Sequence, residues 1–272
     1  MFITHRPRLI AYVAYAAVSL ISRLAAQSSP APPNQLPPLS QILDQHMRAI
    51  GGERAVGADG PLLLKGTCDS TGVDENGPIE ILVKSPNAVY DLNHGGLRMG
   101  YDGESVWRAG SAEPLRQRKG RQLAELVTVF DPARARWWNE WYPRMAVTGV
   151  RQIDSREAFV LETLPGSPST ERLFIDRASG LLIRDEVTPQ RTAPGAGPGA
   201  NQCPDFPPRR DALCAELVEK YIFTFSDYRA VRGVMTAFAI QETTPNGIKY
   251  DYRFNSIEPI AGIDESRFRP GQ

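Results

Sequence analysis

Short segments in which apolar and polar residues alternate recur along most of this 272-residue chain, and they restrict what it can fold into. Ile79, Ile81 and Val83 alternate with Glu80 and Lys84, and similar segments follow towards the C-terminus. An alternation of period two predicts strands that bury one face. About a dozen such strands with no long helices between them exclude a parallel α/β fold, so we expect one extended antiparallel sheet that has to curl.

Helical spacing of apolar residues occurs in two places. It predicts an opening amphipathic helix over residues 39–50, ended by Gly51-Gly52, and a helix over residues 123–130 in the middle of the chain. A second short helix is expected to start after Pro132. The opening helix precedes the strands, and the two middle helices interrupt them.

Two further segments predict connections. The dipeptide Asp102-Gly103 is typical of a type I′ hairpin turn. Residues 188–210 are rich in Pro and Gly and show no period, which predicts an insertion loop.

The N-terminus has the pattern of a secretory signal peptide over residues 1–26. Two arginines precede an uncharged apolar run, residues 9–21, and small residues follow up to Ala26. The run is shorter than the ~20 residues that a membrane-spanning helix needs, so cleavage near Ala26 is favoured over an uncleaved anchor. We expect a periplasmic protein with a flexible Pro- and Ser-rich linker over residues 27–38 and a single domain over residues 39–272.

The charge balance argues against nucleic acid as a partner. Loss of the signal peptide removes three arginines and no acidic residue, so that 31 basic and 31 acidic residues become 28 against 31, a net charge of −3. A nucleic-acid-binding protein normally presents a clearly basic face.

Three cysteines can form at most one internal disulfide. We predict that Cys203 and Cys214 pair, because they lie within or just beyond the irregular segment, and that Cys68 is a small buried hydrophobe. The alternative is that all three are free thiols, since the redox compartment is itself inferred. No CxxCH or paired CxxC motif is present, so neither covalent haem nor zinc is expected.

No recognisable catalytic motif stands in the sequence. His46 and His94 occur in no metal-binding spacing, and we expect His46 to be a helix-surface residue or a hydrogen-bonded core residue. Asp185 and Glu186 are adjacent, so on a strand their side chains point to opposite faces and cannot share a proton. We therefore expect no cofactor, no metal and no enzymatic activity. The alternative is an exported hydrolase whose carboxylates come from distant strands.

Two clusters of side chains have both a functional and a structural interpretation. The basic residues Arg116, Arg118, Lys119 and Arg121 suit either anionic lipid headgroups or a solvated loop before the middle helix. Three of the four tryptophans fall within residues 137–141, where they form either an aromatic patch over a cavity or partner, or the seal of the core.

Five segments carry a resemblance to a known family. They are AIGGERAVG (residues 49–57), LLKGTC (63–68), YDGESVW (101–107), IDRASGLL (175–182) and FSDYRAVRGV (225–234). Together they resemble the outer-membrane lipoprotein-sorting-like proteins of the periplasmic lipoprotein carrier (LolA/LolB-like) superfamily. These segments are turn and packing signatures, so they bear on the fold more than on the ligand.

The resemblance implies an α+β fold in which a strongly curved antiparallel sheet, an incomplete β-barrel, is covered on its concave side by helices and encloses an apolar cavity for acyl chains. Such a cavity needs no specific motif, because each buried CH₂ of a ligand contributes about 0.8 kcal/mol. We expect its lining to be Leu64, Ile81, Val83, Phe159, Leu161, Leu173, Phe223, Phe225, Phe238, Tyr250 and Tyr252 on the sheet, with Leu126, Phe130, Trp137 and Trp141 on the helices.

The leading hypothesis is a periplasmic carrier or binder of lipids or lipoprotein acyl chains, whose partner is a lipid or an acylated protein. The alternative is a non-enzymatic interaction or assembly protein of the cell envelope with a solid core, which binds another envelope protein or a membrane surface. A filled core and a lined cavity use the same apolar side chains, so the sequence leaves both open.

Overall fold

Antiparallel strands dominate the structure. The computed structural model describes residues 36–57, 60–72, 76–92, 97–109, 116–119, 124–164, 169–189 and 220–269. All of these belong to one compact unit. The predicted signal peptide, His94 and the predicted Cys203–Cys214 disulfide lie outside the described residues, so those predictions stay as they are.

The strands and helices alternate in blocks along the chain. The helices are α1 (Leu39–Ala49), α2 (Gly52–Val56), α3 (Ala124–Thr128) and α4 (Trp138–Trp141), with 3₁₀ helices at Arg134–Trp137 and Glu265–Phe268. The strands are β1 (Leu62–Thr71), β2 (Gly77–Lys84), β3 (Asn87–Leu92), β4 (Leu97–Tyr101), β5 (Ser105–Ala109), β6 (Arg116–Lys119), β7 (Met145–Ile153), β8 (Arg156–Thr163), β9 (Ser169–Asp176), β10 (Leu182–Pro189), β11 (Tyr221–Val231), β12 (Val234–Thr243) and β13 (Lys249–Pro259).

The described strands form one open sheet of thirteen strands, in the order β6-β5-β4-β3-β2-β1-β13-β12-β11-β10-β9-β8-β7. Every pairing between neighbours is antiparallel, which confirms the predicted sheet. Strand β1 pairs with β13, so the first and last strands meet in the middle. Strands β6 and β7 are the two edges and do not pair with each other, so the sheet does not close into a barrel.

One face of this sheet shares its hydrophobic core with the helices. Ile42 of α1, Val127 of α3 and Trp141 of α4 belong to the same cluster of buried side chains as Leu64 of β1 and Leu161 of β8. The cluster includes side chains from strands on both sides of the β1–β13 pair, so a single core extends over much of the sheet.

The opposite face carries two smaller clusters. In the first, Trp107 packs with Leu82 and Phe268, and its indole N–H donates to the Phe268 carbonyl oxygen at 2.6 Å. In the second, Phe174 and Ile183 pack together with residues of β8. Trp107 is thus separated from the other three tryptophans by the sheet.

Helix α1 contacts two turns of the sheet, one through a side-chain hydrogen bond and the other through a close approach of the backbone. Nδ1 of His46 lies 2.8 Å from the Gly180 carbonyl oxygen, in the turn between β9 and β10. After the helix, Gly51 has a φ of +122°, and a Cβ there would lie 2.1 Å from the carbonyl oxygen of Gly233 in the β11–β12 turn. Only glycine fits at position 51. Residues 49–57, 175–182 and 225–234, three of the segments that carry the family resemblance, therefore lie close together around the C-terminal end of α1.

One turn prediction is wrong. Gly103 has a φ of +94°, but Asp102 does not have a positive φ, and a type I′ turn needs positive φ at both central residues. The Asp102 carboxylate instead accepts hydrogen bonds from the backbone N–H groups of Glu104 and Ser105, at 2.9 and 2.7 Å. An Asx-type turn has replaced the predicted hairpin turn.

Three other segments differ from expectation in detail. The second central helix is split into the 3₁₀ helix Arg134–Trp137 and α4. Residues 116–119 form edge strand β6 rather than a loop, and β10 extends to Pro189, into the predicted 188–210 loop. The remainder of that loop lies outside the described residues.

A buried ion pair joins the helices to the sheet. Nη2 of Arg134 lies 2.8 Å from Oδ2 of Asp185, and the two side chains are 6% and 0% exposed. Asp185 is on β10, opposite Leu173 of β9 and Phe223 of β11, so it faces the main core. The guanidinium also lies 5.4 Å from the ring centroid of Phe225.

Removal of one partner should be costly, because it leaves a buried charge without compensation. We expect Arg134→Met to lower the free energy of unfolding by about 3–5 kcal/mol, and the double change Arg134→Met with Asp185→Leu to regain much of that loss. Urea denaturation at neutral pH measures both.

The matched control is Arg177→Met, which removes an exposed pair with Glu157 and should cost less than about 1 kcal/mol. Equal losses in the single and the double variant at position 134 would contradict a stabilising role for the buried pair.

Candidate functional site

The residues predicted to line an apolar cavity all belong to one cluster of buried side chains or pack against it. Leu126, Trp137 and Tyr250 are partly buried and pack against it. The others are buried within it: Leu64, Ile81, Val83, Phe130, Trp141, Phe159, Leu161, Leu173, Phe223, Phe225, Phe238 and Tyr252. The fold therefore brings the predicted set together, and its contact with a lipid remains a prediction.

Aromatic side chains close this core on the helical side. The ring of Phe130 meets that of Tyr252 edge to face at 5.0 Å, and Trp137 stacks on Trp141 with ring centroids 6.4 Å apart. The indole N–H of Trp137 donates to the hydroxyl oxygen of Ser85 at 2.9 Å. Trp138 and Trp141 are thus buried in the core, and Trp137 packs against it.

A neutral histidine sits between α1 and α4. The ring of His46 is stacked on Trp138 at 4.9 Å, and its Nδ1 donates to the Gly180 carbonyl oxygen, since a carbonyl can only accept. Burial lowers the pKa of His46 to about 4. His46 is therefore uncharged at neutral pH, and the prediction of a hydrogen-bonded core histidine is confirmed.

Buried carboxylates form the part of the site that the sequence did not reveal. Burial raises the pKa of Asp131 to about 6, although its Oδ1 accepts from the backbone N–H of Ala133 at 2.8 Å. Burial also raises the pKa of Asp185, and Glu171 on the next strand hydrogen-bonds to it. Asp185 and Glu186 do lie on opposite faces as predicted, but the acidic neighbour of Asp185 comes from β9 instead.

One signal could have revealed this group. Asp185 and Val187 share the alternation that faces the core, and charged residues are rarely buried unless they are paired. A charge at an inward position of an apolar strand therefore predicts a buried partner, but the sequence does not say which basic residue supplies it.

Three cavities lie around residues 131–138, which are called the bridge segment below. An inner cavity of about 50 Å³ lies between α1, the bridge segment and strands β11 and β12. A second cavity, of about 340 Å³, lies between α1, α2 and α4. A third, of about 270 Å³, lies between α2, the bridge segment, the ends of β1 and β2, and the β11–β12 turn.

Two classes of site find no support in the described ranges. No three side chains of His, Cys, Asp or Glu come together there as a candidate metal site. In the same ranges, none of the helices combines the length and apolar composition that crossing a membrane requires. Cys68 is fully buried, as predicted for a small hydrophobe.

Mild acid should weaken the contribution of His46 to the stability of the protein. Its pKa falls from 6.5 in the unfolded chain to about 4 in the folded protein, so below pH 6.5 the unfolded chain takes up a proton that the folded protein does not. This stabilising contribution is lost as the pH falls from 6.5 towards 4, by about 2 kcal/mol between pH 7 and 4.5. Urea denaturation at the two pH values measures it.

The comparison variant is His46→Gln, because Asp131 acts in the opposite direction. The pKa of Asp131 is raised by folding from 3.8 to about 6, so its protonation favours the folded state as the pH falls. We expect the variant to lose about 2 kcal/mol less than the native protein between the two pH values. The same pH dependence in both proteins would contradict the assignment.

No family model and no curated protein matches this sequence. Two solved structures share its architecture. A DUF1329 family protein from Desulfovibrio piger aligns with a TM-score of 0.53 at 11% identity, over 86% of this chain and 98% of that chain. A LolA superfamily protein from Nitrosomonas europaea aligns with a TM-score of 0.51 at 11% identity, over 85% of this chain and 97% of that chain.

At 11% identity, these likenesses concern the fold alone. The resemblance to the LolA superfamily that five sequence segments carried is therefore confirmed as a shared fold, an open antiparallel sheet with a small number of helices.

Proposed function

We propose that this protein is a periplasmic, non-enzymatic carrier or binder of lipids or lipoprotein acyl chains, and that it holds the acyl chain between the helices and the core face of the sheet. The observation that carries the proposal is the single apolar core that extends over one face of an open sheet and is covered by short helices. The fold that the chain shares with a LolA superfamily protein supports the same function.

The path of the chain favours a curved sheet with the helices on its concave side. Thirteen strands about 4.8 Å apart would make a flat sheet about 60 Å wide. Yet the residues between the two edge strands contact strands that are far apart in that sheet. Helix α3 contacts β3, β4 and β5, Phe130 packs on Tyr252 of β13, and Arg134 pairs with Asp185 of β10. One short stretch reaches strands this far apart most easily when the sheet curves around it.

The energetics are adequate for an acyl ligand. Burial of a chain of about twelve carbons contributes roughly 10 kcal/mol, which exceeds the lower estimates of the cost of association. The cavities of about 340 and 270 Å³ beside the bridge segment provide the initial space.

The positions of the tryptophans allow a direct test. Trp137, Trp138 and Trp141 pack on the helical side of the sheet, and Trp107 packs on the opposite face. Bromine atoms on an acyl chain quench indole fluorescence at short range. We expect a brominated fatty acid to quench a Trp107→Phe variant strongly and a variant that retains only Trp107 weakly, as measured by fluorescence titration.

The same fatty acid without bromine is the control for changes in conformation. Quenching confined to the variant that retains only Trp107, or no quenching of either variant, would count against an acyl chain among the helices.

A solid-core interaction protein is the second candidate. The observation that favours it is the depth of burial of the predicted lining: Leu161, Leu173 and Phe223 are fully inaccessible. In that case the protein acts in the envelope through its surface, and the brominated chain leaves the fluorescence of both variants unchanged.

A further inference from the structure

The inner cavity adjoins both larger cavities, because some residues line two cavities at once. His46, Ala135 and Trp138 border both the inner cavity and the cavity of about 340 Å³. Asp131, Pro132 and Thr236 border both the inner cavity and the cavity of about 270 Å³. The bridge segment therefore covers a row of three cavities with the smallest in the centre.

Two residues that line the inner cavity carry buried polar atoms with no hydrogen-bond partner. Oδ2 of Asp131 and Nε1 of Trp138 are both buried, and neither atom has a hydrogen-bond partner of good geometry among the described residues, although Ser85 and Ala133 interact with the Asp131 carboxyl group. Asp131 is 2% exposed and Trp138 is 3% exposed. Roughly 90% or more of buried polar groups in proteins are hydrogen-bonded. An acceptor and a donor on the wall of one cavity indicate a ligand group that satisfies both.

The surrounding charges select a neutral group. Asp131, Asp185 and Glu171 place three carboxyl groups at or beside the cavity against the guanidinium groups of Arg134 and Arg136, and Asp185 already holds Arg134 at 2.8 Å. An anion would be repelled by these carboxylates. A cation would leave the indole N–H of Trp138 without an acceptor. A hydroxyl group can donate to Asp131 and accept from Trp138 through one oxygen.

A second hydroxyl also has a place. Because Nδ1 of His46 donates to Gly180, its Nε2 carries no hydrogen and is an acceptor. A single water-sized group needs about 10–15 Å³ of cavity volume. The inner cavity, of about 50 Å³, therefore has room for a few non-hydrogen atoms. This is the size of the hydroxyl-bearing end of a glycerol unit.

The neighbouring cavity suits the hydrocarbon part of the same ligand. Beyond Asp131 and Pro132, the cavity of about 270 Å³ is bordered by Val56, Leu62, Val83 and Val234 among others. An ester-linked chain that leaves the inner cavity past Pro132 would lie along these apolar side chains, with Lys84 and Arg232 also on the lining of the cavity.

We propose that the inner cavity binds the hydroxyl end of a neutral monoacyl lipid of the monoacylglycerol type, through Asp131 and Trp138, while the acyl chain extends into the cavity of about 270 Å³. This inference rests on the proposed function and adds to it the class of headgroup.

The test compares three ligands that carry the same acyl chain: a monoacylglycerol, the methyl ester and the free fatty acid. Their binding to the signal-peptide-free protein is measured by calorimetric titration. The monoacylglycerol is expected to bind at least tenfold more tightly than either of the others. Comparable affinity for the methyl ester or the fatty acid would overturn the headgroup assignment and leave the carrier function standing. No binding of any of the three would overturn both.

Two conservative variants locate the site. Asp131→Asn and Trp138→Phe are expected to weaken monoacylglycerol binding about tenfold and to leave the methyl ester unaffected. The matched controls are Asp227→Asn, an exposed acid, and Trp107→Phe, on the other face of the sheet. Both controls should retain the preference, and an unchanged preference in the two site variants would overturn the proposal. If a site variant fails to fold, the three-ligand comparison on the native protein still decides the matter.

Discussion

The structure depends on the burial of one apolar face of an open sheet. A sheet whose edges do not pair has to cover its hydrophobic face with something other than itself. Here the cover consists of α1 at the start of the chain and of the helices between β6 and β7, the two edge strands. The residues between β6 and β7 link one edge of the sheet to the other. Because they cross the apolar face, their side chains also join the hydrophobic core.

The cover is attached by polar contacts as well as by apolar packing. His46 donates a hydrogen bond to the turn between β9 and β10, and Trp137 donates a hydrogen bond to Ser85, which follows β2. Arg134 pairs with Asp185 in the middle of the core. Buried polar groups of this kind are costly unless each has its partner, and for that reason they specify one position of the helices on the sheet. An apolar cover alone would tolerate several positions.

These contacts also bear on the proposed preference for one class of lipid headgroup. A protein with a uniformly apolar interior would hold an acyl chain without regard to its headgroup. The group around Asp131, Arg134 and Trp138 places hydrogen-bonding capacity at the centre of a row of cavities, in otherwise apolar surroundings. In the proposed lipid site, selectivity for a polar end would thus be combined with affinity that comes from hydrocarbon.

The pattern of residues along the chain was sufficient to predict the strands, the opening helix and the side chains that belong to the core. Strand and helix periods are local properties of the backbone, so the pattern around Ile81 or Leu161 identifies the buried face without knowledge of its neighbours. The ion pair of Arg134 with Asp185, and the stack of His46 on Trp138, could not be inferred in this way. Each joins residues that are distant in the chain, and only the order of strands and the docking of α1 bring such residues within reach of one another.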